Sequence, residues 1–167
     1  MVAIFMGVSG VGKTTVGQAA AERLGWSLFD GDHFHSPSNI DKMRRGIALN
    51  DDDRAAWLEA LRTRIRQCLD EKEPAIITCS ALKKKYRDLL RSGNEGTIFV
   101  YLQAKRDIVW KRISARRGHY FGEDLLDSQY AALEEPEHAF TIDAGKPLDR
   151  VATTVITLLE NALKNAR

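Results

Sequence analysis

Gly7-Val8-Ser9-Gly10-Val11-Gly12-Lys13-Thr14, directly after the apolar run Val2 to Met6, is the stretch of this chain whose residue types and spacing speak most directly of chemistry. It fits the pattern G-x-x-x-x-G-K-[ST], in which glycines let the backbone bend until successive N–H groups face phosphate oxygens. A helical pattern follows, and the positive end of its dipole favours the same anion. Lys13 can reach the β- and γ-phosphates of a nucleoside triphosphate, and the Thr14 hydroxyl can ligate Mg²⁺. The expected nucleotide contacts are Gly7, Ser9, Gly10, Val11, Gly12, Lys13, Thr14 and Thr15.

Asp30-Gly31-Asp32 supplies what phosphoryl transfer needs next. If a strand persists through Gly31, two carboxylates two residues apart project to the same side. Asp30 is expected to help hold the metal, and Asp32, farther out, to accept the proton of a substrate hydroxyl. A turn carrying solvated acids is the plain alternative. His33 and His35 lack the cysteine or third histidine of a transition-metal site, so hydrogen bonding to a polyol or loop packing is the expectation. In Ser80 to Asp88, Lys83 and Arg87 are four apart and would share a helix face suited to a carboxylate or phosphate, while Lys84 and Lys85 are expected to face solvent. Lys105 to Arg117 reads as a helix ending at Gly118-His119-Tyr120-Phe121-Gly122, an arrangement like a closing lid. Arg112 is the expected partner for a purine ring and Arg116 for the phosphates, with Arg117 close behind.

Five short apolar runs must position these groups: Val2 to Met6, Ser27 to Asp30, Ala75 to Cys79, Thr97 to Leu102 and Ala139 to Asp143. They alternate with helical patterns, as parallel strands do with crossover helices. Ligands of such α/β sheets gather beyond the carboxyl ends of the strands, where every reactive segment above is found. Trp57, Leu58, Leu61, Ile65, Cys68 and Leu69 recur at helical spacing after an Asn50 to Asp53 cluster suited to capping. Leu148, Val151, Val155, Leu159 and Leu163 form a second apolar face, and both stripes read as core.

The 167 residues suit one domain, with 44% hydrophobic and 29% charged residues. A net charge of +2 gives no general case for nucleic acid or membranes, and weak aromatic interleaving argues against RNA binding by the basic clusters. Cys68 and Cys79 have no metal-ligand spacing and read as core residues of a protein in a reducing, cytoplasmic setting. The five-residue apolar start falls far short of the roughly 20 residues of a membrane span.

The chain resembles gluconate kinases, small phosphate-loop enzymes that phosphorylate the 6-hydroxyl of D-gluconate with ATP and Mg²⁺. The likeness rests on the phosphate loop, Asp30-Gly31-Asp32 with His35, Asn39 to Met43, Leu49 to Arg54 with Trp57-Leu58, Cys79 to Lys83 with Tyr86-Arg87-Asp88, Gly118-His119, Leu125 to Tyr130 and Leu133 to Pro136. It spans roughly residues 3 to 150, and departs at Phe121-Gly122-Glu123, where an apolar residue and a proline would be expected. The resemblance implies a P-loop NTPase fold of three αβα layers, a parallel sheet of order 2-3-1-4-5, a mobile lid and a homodimer. It also implies that Asp32, His35, Arg54, Ser80, Lys83 and Arg87 contact the sugar acid, with Lys13, Asp32 and Arg116 catalytic. Shikimate kinases would carry a Gly-Gly-Gly turn where Ser80-Ala81-Leu82 stands, and a nucleoside monophosphate kinase would need a base site, which the polar Asp30 to His35 loop suits poorly; a non-catalytic nucleotide switch or RNA-associated ATPase is the alternative of another class, and the absence of an N-K-x-D motif counts against a GTPase switch.

Overall fold

The five apolar runs form five parallel strands, β1 (Val2–Met6), β2 (Ser27–Asp30), β3 (Ala75–Thr78), β4 (Thr97–Gln103) and β5 (Phe140–Asp143), in the order β2-β3-β1-β4-β5. The computed structural model describes residues 1–115 and 122–165. Seven described helices connect the strands: α1 (Lys13–Leu24), α2 (Pro37–Arg44), α3 (Asp51–Asp70), α4 (Lys84–Arg91), α5 (Arg106–Ser114), α6 (Glu123–Ala132) and α7 (Leu148–Asn165). Strand limits match the apolar runs to within a residue at each end.

Strand alternation divides the core into two layers. On one face Ala3, Phe5, Ile76, Val100 and Leu102 pack with Val16 and Ala20 of α1 and Val151, Val155 and Leu159 of α7. On the other, Ile4, Met6, Ile77, Phe99 and Tyr101 pack with Trp57, Leu61 and Ile65 of α3 and Leu90 of α4. All five residues of β1 are fully buried, as a central parallel strand covered on both faces must be. Cys68 and Cys79 are free, buried members of the second layer.

The starts of two helices differ in a way that matters for function. Asn50 caps α3 reciprocally: its side chain accepts from the Asp53 amide at 2.8 Å, and the Asp53 carboxylate accepts from the Asn50 amide at 3.1 Å. Such a box anchors a helix end. Gly12 precedes α1 in a left-handed conformation, φ 110°, and no described side chain caps that helix, which leaves its first N–H groups for an anion.

Register brings the site residues level. Asp30 pairs with Thr78, and Thr78 with Phe5, so the carboxyl ends of β2, β3 and β1 align. The strand does not continue through Gly31, contrary to the alternation expected for the two acids. Gly31–Phe34 is a turn of 3-10 helix whose N-cap is Asp30; its Oδ1 accepts from the Asp32 amide at 3.0 Å. Asp30 prefers capping to continued pairing because its short side chain can reach the backbone two residues on.

Gly31 also faces the next strand so closely that a Cβ there would sit 2.3 Å from the Thr78 carbonyl oxygen and 2.9 Å from Cys79 Cβ. Gly31→Ala is therefore expected to destabilise the fold by about 2–3 kcal/mol, the cost of overpacking against backbone. Thermal unfolding should show a melting temperature lower by roughly 4–12 °C; an unchanged value would mean that β2 and β3 separate freely here.

Candidate active site

A cavity of about 680 Å³ opens at the carboxyl ends of β1, β2 and β3. Ser9, Gly10, Gly12, Lys13, Thr14 and Thr15 line it from the phosphate loop, Asp30, Asp32 and His35 from the segment after β2, and Arg54, Ser80 and Lys83 from the side of α3 and α4. The structure thus brings together residues from four separate segments of the sequence.

The loop is shaped by contacts that leave little freedom for side chains. A Cβ at Gly10 would lie 2.4 Å from Ile113 Cγ1, and one at Gly7 would lie 2.6 Å from the Leu102 carbonyl oxygen. Lys13 Nζ donates to the Gly7 and Val8 carbonyls, each at 3.0 Å. Burial lowers the pKa of Lys13, while the negative charges of Asp32 and Asp30 act the other way. The same enclosure raises the pKa of Asp32; Lys13 opposes that rise and Asp30 adds to it. A carboxylate displaced towards neutrality and beside an ammonium is suited to taking up a proton.

Thr14 Oγ1 donates to Asp30 Oδ2 at 3.2 Å, so the two expected metal ligands meet. Thr78 is 1% exposed, lines the same cavity, and its Oγ1 has no hydrogen-bond partner among the described residues. A hydroxyl and a carboxylate oxygen at one place fit Mg²⁺, which takes one or two protein ligands and completes its octahedron with water and phosphate oxygens. No group of three or more His, Cys, Asp or Glu residues that could hold a metal occurs among the described residues.

The acceptor side is built on α3. Its Trp57 is 1% exposed, and its indole Nε1 donates to the Gly31 carbonyl at 2.7 Å. The His35 ring stacks on Trp57 with centroids 4.5 Å apart and planes 9° from parallel. Burial, with the Arg54 cation in second place, lowers the His35 pKa to about 4. Arg54 lies 5.8 Å from the Trp57 ring centroid and 5.9 Å from that of Tyr86. Lys83 Nζ donates to Asp51 Oδ1 at 2.9 Å, and Lys85 and the Tyr86 hydroxyl bond the same carboxylate. These three donors hold the pKa of Asp51 well below the usual carboxylate range. Asp51 and Tyr86 did not stand out in the sequence, although Asp51 lay in the capping cluster and Tyr86 in the basic segment.

Two expectations change. Lys83 and Arg87 do not share a helix face, because Lys83 is the N-cap of α4 and lies outside it. Arg87 does not line the cavity: it is buried, and its Nη1 donates to the carbonyls of Ala81 at 3.0 Å and Leu82 at 2.8 Å. Ala81 has a left-handed φ of 39°, which is unfavourable for a residue with a Cβ. Arg87 clamps that strained turn, from which Ser80 and Lys83 line the cavity. Arg112 Nη1 donates to the Val11 carbonyl at 3.1 Å, at the outer side of the phosphate loop. Arg116, Arg117 and the segment from Gly118 to Phe121 lie outside the described residues. Gln129 was overlooked as a site residue, yet it lines the cavity and bonds Ser9 twice.

The lowered His35 pKa has a defined sign in stability. The unfolded chain binds a proton near pH 6.5 and the folded chain only near pH 4, so stability is full above the first value and falls as the pH drops towards the second. Denaturant unfolding at pH 7.5 and 4.5 should show a smaller acid loss for His35→Gln than for the parent; equal losses would assign the effect to other groups.

Among known proteins, the Shikimate kinase family model matches residues 9–146. The thermoresistant gluconokinase of Escherichia coli is 40% identical over 161 residues, which cover 94% of this chain and 92% of that protein. The crystal structure of a gluconokinase from Sinorhizobium meliloti superposes with a TM-score of 0.88 at 38% identity, over 99% of this chain and 94% of that one. A shikimate kinase from Aquifex aeolicus shares the fold, with a TM-score of 0.62 at 17% identity over 98% of this chain and 99% of that one. With its phosphate loop, its paired acids after β2 and this extent of likeness, the chain belongs to the gluconokinase family of shikimate-kinase-like P-loop kinases.

Proposed function

We propose that the protein transfers the γ-phosphoryl group of ATP to the 6-hydroxyl of D-gluconate, giving ADP and 6-phospho-D-gluconate. The observation that carries this reading is one cavity holding a phosphate loop at one side and His35, Arg54, Ser80 and Lys83 at the other, with Asp32 between them in the sequence of elements. The cationic groups suit a carboxylate, and neutral His35 suits a hydroxyl of a polyol.

In this reading the backbone N–H groups from Gly10 to Thr15 and the Lys13 ammonium hold the triphosphate. Thr14 and Asp30 would hold Mg²⁺, which would neutralise charge on the phosphate oxygens when bound. Asp32 accepts the proton from the acceptor hydroxyl as its oxygen bonds to the γ-phosphorus and the bond to the ADP oxygen breaks. Lys13 offsets the charge that gathers on the transferred group. The whole chain acts as one kinase domain. The free, buried cysteines suit a cytoplasmic setting, and the resemblance is the ground for expecting a homodimer. No described helix is long and apolar enough to cross a membrane.

Coupled ADP release with gluconate, shikimate and nucleoside monophosphates as acceptors tests the substrate; absence of gluconate-dependent turnover overturns the proposal. Asp32→Asn should lower kcat by about 10²–10⁴ with ATP affinity kept within about threefold. Because the Asp32 pKa is raised above 3.8, the base form is lost as the pH falls through that raised value, and the acid limb of the parent's kcat profile should lie above it. Turnover of Asp32→Asn equal to the parent's would remove Asp32 as the base.

A further inference from the structure

Leu125, Ser128, Gln129 and Ala132 all line the cavity, and their spacing places them on one face of α6. This helix is tied down at two places, on that face and just past its carboxyl end. Near its middle, Gln129 Oε1 accepts from the Ser9 amide at 2.7 Å, and Gln129 Nε2 lies 3.1 Å from Ser9 Oγ as donor. Just beyond its end, the Glu134 amide donates to the Leu82 carbonyl at 3.0 Å, and the Glu134 carboxylate accepts from the Lys84 amide. The first tie reaches the phosphate loop; the second reaches the turn that carries Ser80 and Lys83.

The rest of α6 is braced against rotation. Arg106 of α5 bonds Asp127 through Nε at 2.6 Å and Glu123 through Nη2 at 2.7 Å. Tyr130 donates its hydroxyl to the Ala104 carbonyl at 2.9 Å, and Leu126 is fully buried. Nothing in the phosphate-loop pattern calls for these contacts, since a loop of this kind is usually closed by its own backbone and the bound anion.

We infer that α6 is a spacer that fixes the separation between the phosphate loop and the acceptor wall, with Gln129 as its positioning residue at the loop end. The inference rests on the phosphotransfer reading above. In-line transfer depends steeply on that separation, because a misplacement near 1 Å can cost about a hundredfold in rate. Gln129 is an uncharged group that both accepts and donates, so it can grip the Ser9 amide and hydroxyl without placing a negative charge beside the triphosphate. Its carboxamide commits the Ser9 N–H to the protein, which sets the outer turn of the loop before any ligand arrives.

Gln129→Met keeps length and bulk while removing both bonds. Its kcat with ATP and gluconate is expected to fall by about 10- to 100-fold, with KM for each substrate within about threefold. Ser9→Ala, which keeps the amide bond, should lose several-fold less, and adding it to Gln129→Met should change kcat by less than about twofold because the partners already act as a unit. A kcat within twofold of the parent, a loss confined to the KM for gluconate, or multiplicative effects in the double variant would each overturn the inference. Failure of the parent to use gluconate strikes the proposed substrate instead. Hydrogen exchange of the Ser9 amide, read by NMR, is independent of the acceptor: protection should fall at least tenfold in Gln129→Met, and unchanged protection overturns the role of Gln129 whatever the acceptor is.

Discussion

The hydrogen bond from the Trp57 indole to the Gly31 carbonyl is the contact on which the acceptor half of the site depends. Trp57 belongs to the core by every measure of packing, yet its single polar atom reaches the first residue of the turn that follows β2. That bond holds Gly31 against Thr78, where only a hydrogen fits in place of a Cβ. With Gly31 fixed, Asp30 is held at the strand end beside Thr14, and Asp32 is carried outward by a turn of 3-10 helix. The same indole supplies the surface on which His35 stacks, and Arg54, three residues earlier on α3, faces it as well. A side chain chosen for burial therefore also sets the positions of four polar groups. The donor half works differently, through backbone: positive φ at Gly7, Gly10 and Gly12, and close approaches that exclude larger residues at Gly7 and Gly10.

Charge inside the cavity is balanced locally. Lys13 and Asp32 are both shifted towards their neutral forms by desolvation, and each opposes the other's shift. Neither charge can be removed without leaving its partner less well solvated, so a substitution at one is felt at the other. On the acceptor side, Asp51 gathers Lys83, Lys85 and Tyr86 and offsets part of the positive charge there. The balance leaves Arg54, which also lowers the His35 pKa, as a cation held over two aromatic rings. An anionic ligand entering here meets positive groups that are already oriented, and orientation is the part of binding that flexible surface lysines supply poorly.

The fold was largely legible because its signals are local. Short apolar runs between helical patterns locate the strands to within a residue at each end, and the Asn50 to Asp53 box marks the start of α3. The sheet order came from family resemblance, since apolar periodicity carries no information on which strands are neighbours. The donor site was legible for the same local reason: its residues are contiguous. The acceptor site was legible only as residue types. That Asp30 would end its strand and cap the next turn required knowing the Trp57 bond from α3, and that Arg87 would turn inward required knowing the left-handed φ at Ala81. Gln129 and Ser9 are 120 residues apart, and no spacing rule connects them.

Arg87 lies in the expected segment but packs inward, beneath the turn that precedes α4. Four-residue spacing predicts a shared helix face only when both residues are helical, and Lys83 sits one position too early. What the spacing does achieve is to place the Arg87 guanidinium under the turn that precedes the helix, within reach of two carbonyls. The two N–H groups of Nη1 satisfy both at once. The energy of an unfavourable φ at Ala81 is thereby offset by a buried, charge-assisted pair of hydrogen bonds. Ser80 and Lys83 line the cavity from this turn, so the acceptor wall depends on a buried cation beneath it.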